Sequence, residues 1–378
     1  MDESDTFTDI NYYGPSGSFF IGSLSEGCKK CITGEKIVLY TTGSCSVGCA
    51  YCPIPEDRQK KDDVFINERA VTLDDTGLQT IFNESEVCLA SGVGITGGDP
   101  MEVPERTIEY IKDIRKEFGE NYHLHLYTSG IFFINRMELI DELFSAGLDE
   151  LRFHPKQIRA KPVWEIAKQA KIKFPTKTIG FEVPAIPGAD SDLIELITFA
   201  DENGLDFVNL NEYEFTSSNF NKLSQRGFVS VLTNAAVVGS KETALNVVTY
   251  VKDKVNITVH FCTSGSKDSI QLVQRFKKRA SQIKRPFDDI SEEGELEYGI
   301  IYASSESQFN ELVQLLLDEY EVTSDMFEKL PKSLTIETGW FIIEEIIEDL
   351  RKTYPDLQAE EIARHPIKNG PITYVNPL

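Results

Sequence analysis

The sequence predicts an α/β fold built on a parallel sheet, and two observations carry that expectation. From Lys36 onward, short apolar runs alternate with longer stretches of helical periodicity, and the alternation continues to about residue 265. The runs at 37–41, 93–96, 123–128, 150–154, 178–183 and 207–210 have the length and apolar content of strands. Between them, 73–82, 104–118, 135–146, 163–171 and 190–203 space their apolar residues as amphipathic helices do. Strand–helix–strand units joined in this way pair in parallel. Six successive units suit an open partial (β/α)6 barrel of the TIM type, and a doubly wound sheet fits the same rhythm.

A further unit follows, with a helix near 240–252 and a strand over 256–261, and then a basic helix from about 266 to 283. Residues 286–294 are polar and acidic with Pro, Gly and Ser, which marks a linker. Beyond them, strand-like 298–302, 333–338 and 372–375 alternate with helix-like 306–320 and 341–352, the order of a small α+β domain. The expected organisation is an irregular lead-in over 1–35, a partial barrel with its flanking helix over 36–285, and an α+β domain over 295–378.

A chain of 378 residues that is 41% hydrophobic and 26% charged has the balance of a globular protein with a real core. No apolar run approaches the ~20 residues of a membrane helix. The start, Met1-Asp2-Glu3-Ser4-Asp5, is acidic where a secretory leader is basic and then apolar, so a cytoplasmic location is expected. A net charge of −23 disfavours general nucleic-acid binding, because a phosphate backbone would meet a repulsive field. The dense basic stretch Arg275-Phe276-Lys277-Lys278-Arg279, with Lys284-Arg285, is expected to form a solvated helix face.

The seven cysteines are an odd number, and five of them crowd between 28 and 52. That clustering points to metal or redox chemistry rather than a disulfide framework. Gly43-Ser44-Cys45-Ser46-Val47-Gly48-Cys49-Ala50-Tyr51-Cys52-Pro53 follows the first strand directly, with C-x3-C-x2-C spacing. Three thiolates on one short loop can each bind one iron of a [4Fe–4S] cluster and leave the fourth iron open. The small residues of the loop let its backbone wrap a bulky group. The alternatives are a zinc site, although a structural zinc normally takes four protein ligands, and a coincidence of structural cysteines.

With its aromatic residue before the third cysteine, this CxxxCxxC motif resembles the signature of the radical S-adenosylmethionine (SAM) superfamily. The resemblance continues one βα unit later, where Ile95-Thr96-Gly97-Gly98-Asp99-Pro100 is similar to the superfamily's GGE motif, with Asp99 in place of the usual Glu. Taken alone, Gly-Gly-Asp-Pro is a turn signal. The chain as a whole looks like the pyruvate formate-lyase activating enzyme-related group, over roughly residues 20–265, and especially its members with an extra CxxC before the first strand.

The resemblance implies a cluster on Cys45, Cys49 and Cys52, and SAM contacts from Tyr51, Gly97, Gly98, Asp99 and Pro100. It further implies reductive cleavage of SAM to a 5′-deoxyadenosyl radical that abstracts hydrogen from a substrate, with a one-electron reductant such as ferredoxin or flavodoxin as partner. A protein substrate, as in glycyl-radical activation, is what the group resemblance suggests. A non-catalytic iron–sulfur or zinc protein serving assembly or regulation is the rival reading.

In a parallel barrel the later strand ends share the rim of the cysteine loop, which places His154, Asn211 and Glu212 there. One of Arg152 and His154 is expected to face the interior, and Glu182, Glu212 and Glu214 are placed to bind polar groups. His123 and His125 share one face without a third ligand nearby. Cys28-Lys29-Lys30-Cys31 is half of a zinc site, half of a second cluster's ligands or a redox pair, and metal is the expectation because no thioredoxin-like context surrounds it. Cys262 is its best partner, with Cys88 and His260 behind it, although Cys88 has the surroundings of a buried apolar residue. A parallel strand at 256–261 would put Cys262 on the rim opposite the CxxC, unless the lead-in folds back.

Overall fold

The computed structural model describes residues 9–367 and 370–378. A hairpin of β1 (Asn11–Tyr13) and β2 (Ser18–Ile21) leads into helix α1 (Glu26–Ile32) and strand β3 (Lys36–Tyr40). A second hairpin, β4 (Val64–Ile66) and β5 (Arg69–Val71), follows the cysteine loop. Helices and strands then alternate through α2 (Asp75–Val87), β6 (Gly92–Thr96), α3 (Pro104–Phe118), β7 (His123–Thr128), α4 (Glu138–Ala146) and β8 (Glu150–Phe153). The series continues through α5 (Lys161–Lys173), β9 (Thr178–Ala185), α6 (Asp190–Glu202), β10 (Phe207–Glu212), α7 (Phe220–Gln225), α8 (Ser240–Val251), β11 (Thr258–Cys262) and the single turn α9 (Ser264–Ser266).

The sheet order is β1-β2-β11-β10-β9-β8-β7-β6-β3-β4-β5. From β3 to β11 every neighbour is parallel, giving an α/β fold on a parallel sheet. The parallel run has one strand more than the six expected, because the strand anticipated over 256–261 pairs in parallel with β10. Antiparallel β2 and β4 close the two flanks.

Residue alternation separates the two faces of this sheet. Leu124 and Leu126, Leu151 and Phe153, Ile179 and Phe181, and Val208 and Leu210 are fully buried. Ring contacts such as Trp164 to Phe181, at 6.5 Å between centroids, pack this face against the crossover helices. Residues between them carry polar groups: Tyr127, Arg152, Glu182, Asn209, Asn211 and His260 all line one cavity. Parallel strands covered on both sides are usually apolar throughout, so this period-two polarity marks the cavity face.

The lead-in is regular where the structure describes it. β2 lengthens the sheet by pairing with β11, and α1 packs across the starts of the parallel strands. Lys30 Nζ donates to Ser91 Oγ at 2.9 Å beside β6, and Gly27 N–H donates to Glu150 Oε2 at 3.2 Å at the start of β8. Gly27 is required there, since a Cβ would stand 2.6 Å from Arg152 Nη2 and 2.8 Å from His125 Nδ1.

The chain divides into two units, residues up to Glu86 with Ala90–Gln271, and Val87–Leu89 with Leu272–Leu378. The second unit holds α10 (Val273–Ile283), β12 (Asp289–Ile290), β13 (Leu296–Tyr302), α11 (Glu306–Asp318), β14 (Phe327–Leu330), β15 (Thr335–Thr338), α12 (Trp340–Thr353), β16 (Gln358–Arg364) and β17 (Ile372–Pro377). Its antiparallel sheet runs β14-β15-β13-β16-β17, with β12 also on β13. Ile301, Leu312, Ile336 and Ile343 are among its core residues.

Two expectations change here. Helix α10 belongs to the second unit, and the expected linker contains β12, paired with β13. Nor is the basic stretch a solvated face: Arg275 and Arg279 are buried, and Arg285 pairs with Asp288 at 2.9 Å. No helix among the described residues is long and apolar enough to cross a membrane.

Candidate active site

The loop after β3 brings Cys45, Cys49 and Cys52, all free and partly exposed, onto the wall of a cavity of about 1050 Å3. Gly43 fixes the start of the loop. Its N–H donates to the Lys61 carbonyl at 2.7 Å, and a Cβ on it would lie 1.9 Å from the Arg58 carbonyl oxygen. Burial pushes the Cys45 thiol up, while the N–H groups of Val47 and Gly48 donate toward its sulfur and pull the other way. Burial also raises Cys49, opposed by the Tyr51 hydroxyl. Amide groups aimed at a sulfur favour a thiolate ligand, so this loop fits an anionic metal–thiolate group.

Gly97 and Gly98 line the same cavity and dock the loop onto the end of β6. Gly98 N–H donates to the Thr42 carbonyl at 2.7 Å, and Asp99 N–H to the Ser44 carbonyl at 2.9 Å. A Cβ would stand 2.4 Å from Thr42 O at Gly97 and 2.1 Å from Ser44 O at Gly98, so neither position has room for a side chain. Asp99 differs from expectation. Its buried carboxylate accepts from Met101 N–H at 3.0 Å, Thr128 Oγ1 at 2.9 Å, and both the N–H and the hydroxyl of Ser129. It ties β7 to β6 and has no place on the cavity wall, where Ser129 stands instead. Pro100 opens a short 3-10 turn behind it and is likewise buried away from the cavity.

Tyr51, His154 and Asn211 line the cavity as anticipated. The Tyr51 ring meets His154 edge-on at 5.7 Å, and its hydroxyl donates to the Lys156 carbonyl at 3.3 Å. Burial holds His154 below its ordinary value. Arg152 and His154 both face the cavity, because residues two apart on a strand share a face. Glu212 does not: its Oε2 accepts the Ser264 N–H at 2.8 Å and hydroxyl at 2.9 Å, capping α9. Glu214 pairs with Lys267 at 3.2 Å.

Deeper in, buried Arg152 organises the polar face. It donates to Glu182 at 2.7 Å, to Glu150, to Tyr127 Oη at 3.2 Å, to Ser25 Oγ at 3.0 Å and toward Cys28 Sγ at 3.4 Å. Burial alone would raise Glu182, but Arg152, Asn211 and Asn209 bring it down to about 2. His125 has no partner on either ring nitrogen, and burial beside Arg152 and Lys36 keeps it neutral. Its neighbour His123 lies 3.4 Å from Glu150.

The structure brings Cys28, Cys31 and Cys262 together at this inner end, on the same cavity. The conflict of rims is resolved by the lead-in: β11 is parallel, and α1 turns its two cysteines inward. The Cys31 thiol donates to Gln271 Oε1 at 2.6 Å, and Gln271 Nε2 donates toward Cys262 Sγ at 3.6 Å. Cys88 is fully buried in the other unit. Among the described residues, no three His, Cys, Asp or Glu side chains gather closely enough to hold a single metal ion. Lys36, Tyr13, Gln271 and Lys267 also line the cavity, unanticipated from sequence. Of these, Lys36 alone carried a local signal, as a charge opening an apolar strand.

No protein-family model matches the chain. A protein of Methanocaldococcus jannaschii, provisionally described as a glycyl-radical enzyme activating enzyme, is 34% identical over 369 residues, covering 91% of this chain and 93% of that one. The chain belongs to the radical SAM superfamily, a class of iron–sulfur, SAM-binding enzymes, and within it to the family of this relative. Among solved structures, Streptococcus suis SuiB bound to S-adenosylmethionine is 13% identical with a TM-score of 0.43, over 68% of this chain and 54% of that one. Escherichia coli coproporphyrinogen III oxidase (HemN), described as a radical SAM enzyme, is 9% identical with a TM-score of 0.38, over 61% and 56%. The chain spans about half the length of these two structures.

Proposed function

We propose that this protein binds a [4Fe–4S] cluster through Cys45, Cys49 and Cys52, and binds SAM beside it to start hydrogen abstraction from a protein substrate. The observation that carries the reading is the docking of the three-cysteine loop onto Gly97-Gly98, with both on one cavity wall. The parallel run is then a partial barrel with this cavity inside it. A cluster held by Cys45, Cys49 and Cys52 would supply the electron, drawn from an external one-electron reductant, for splitting SAM into methionine and a 5′-deoxyadenosyl radical that would take a hydrogen atom from the substrate.

The chain's own residues have separable tasks. Gly97 and Gly98 leave main-chain carbonyls open to an ammonium group, as glycines at a strand end can. Ser129, His154 and Asn211 offer polar contacts on the same wall. Tyr51 shields the loop by packing on His154 and Tyr213. The relative's description favours a glycyl-radical enzyme as substrate; a one-electron carrier such as ferredoxin or flavodoxin is the reductant this reading calls for.

Anaerobically reconstituted protein given dithionite and SAM should release 5′-deoxyadenosine, and the Cys45→Ala variant should release none. An iron-loaded wild type that yields no deoxyadenosine overturns the reading.

A further inference from the structure

We propose that the inner end of the cavity is a second iron–sulfur site, in which Cys28, Cys31, Cys262 and His260 hold a second [4Fe–4S] cluster. The site is built by two separate elements. Helix α1 presents Cys28 and Cys31 one turn apart, and β11 presents His260 and Cys262 from the same face. All four line one cavity.

His260 supplies an independent sign of a ligand. The residue is 3% exposed, and its Nδ1 is buried with no hydrogen-bond partner. Its Nε2 is held by the Tyr13 hydroxyl at 2.8 Å. That is how a metal-binding histidine is prepared: one ring nitrogen is fixed by a neighbour and the other is left for the metal. The ring also lies within reach of the Cys28 thiol, so the free nitrogen and that sulfur converge on one spot.

Gln271 marks the space a cluster would take. Its amide bridges Cys31 and Cys262, at 2.6 Å from one sulfur and 3.6 Å from the other. It sits on a π-helical turn, Lys267–Leu272, an irregularity that recurs at functional sites. The side chain is only partly buried, unlike Cys28, Cys262 and His260.

Sulfurs separated by an amide are too far apart for one zinc ion, which binds each thiolate at ~2.3 Å. They suit a cluster, in which each sulfur takes a different iron. The cysteines at 45, 49 and 52 fall equally outside single-ion spacing. Charge agrees as well. A thiolate-bound cluster is anionic, and Arg152, Lys36 and Lys267 stand at this end of the cavity.

The test reads the two sites separately. Iron, acid-labile sulfide and zinc would be measured after anaerobic reconstitution of the full chain, in wild type and two variants. One variant is Cys45→Ser/Cys49→Ser/Cys52→Ser and the other is Cys28→Ser/Cys262→Ser. Expected are about eight irons per wild-type chain and about four in each variant, from four irons per cubane. A folded triple variant without iron, or with zinc in place of iron, overturns the proposal.

Wild type alone provides a second measurement should a variant fail to fold. Its Mössbauer spectrum should contain two distinct four-iron species, and a single one overturns the proposal. In the triple variant, His260→Ala should change the electron paramagnetic resonance signal of the remaining cluster. An unchanged signal removes His260 from the ligand set.

Discussion

Glu150 caps helix α1 through Gly27: its Oε2 accepts the Gly27 N–H at 3.2 Å, while Oε1 accepts the Ser25 hydroxyl at 3.2 Å. A strand of the sheet thereby holds the first turn of the helix that forms the inner wall of the cavity. A carboxylate in that position also meets the partial positive charge of a helix N-terminus.

The same carboxylate pairs with Arg152, and the pair gives a pH dependence. Burial would raise Glu150, but Arg152 and His123 outweigh it and bring it from 4.5 to about 2. A depressed carboxylate contributes its full stability above its unfolded value and loses it as pH falls through the folded one. The contribution is therefore complete above about pH 4.5 and declines toward pH 2. Breaking a buried pair by removing one partner costs about 3–5 kcal/mol. Glu150→Gln should therefore lower unfolding free energy at pH 7 by about that amount and flatten the acid decline. Denaturant unfolding from pH 7 to pH 3 measures both, and an equally steep acid decline in the variant would count against the assignment.

Gly27→Ala tests the seating of α1. The new methyl group meets the His125 ring, which is fully buried, and Arg152, which is held in place by its hydrogen bonds to Glu150 and Glu182. Overpacking of this kind costs about 1–3 kcal/mol. Thermal unfolding should show a lower midpoint; an unchanged midpoint would mean that α1 sits elsewhere.

Asp99 is a structural acid on this evidence, so its conservative variants should fail in a characteristic way. Asp99→Asn gives up acceptors for Ser129 and Thr128, at a cost of about 1–3 kcal/mol. Asp99→Glu adds a methylene to a site that is 1% exposed and should also destabilise. Urea midpoints should fall for both. If Asp99→Glu matched wild type, the fit around Asp99 would be looser than its hydrogen bonds indicate.

Gly98→Ala separates loop docking from global folding. Its Cβ would stand 2.1 Å from a backbone oxygen of Ser44, which cannot rotate aside. Iron retained after reconstitution should drop several-fold while far-ultraviolet circular dichroism stays at the wild-type level. Full iron retention would show that the loop does not depend on this contact.

The strands of the parallel sheet were legible because each contributes a short apolar run, and the cysteine loop because its chemistry is local. What escaped was tertiary. The hairpin β1–β2 has no partner within reach in sequence and pairs with β11 instead. Helix α1 is seven residues long and contains Gly27, so its periodicity is too short to register. Tyr13 and Gln271 reach the cavity only because distant segments converge there. Arg152, Glu182 and Asn209 interrupt their apolar strands with polar groups, but only the register of neighbouring strands brings these onto one interior wall. Arg275 and Arg279 show the reverse error, where a run of charge concealed buried guanidinium groups.

The position of the lead-in sets an order of events during synthesis. Tyr13 bonds to His260 and Ser18 to Thr263, partners 247 and 245 residues apart. The segment made first is therefore among the last to find its place. At roughly 10 residues per second, a little over 20 seconds passes between the emergence of Cys28 and that of Cys262. Throughout that interval the two thiols of α1 lie open to solvent, and the inner end of the cavity is at its most accessible to whatever is to be enclosed there.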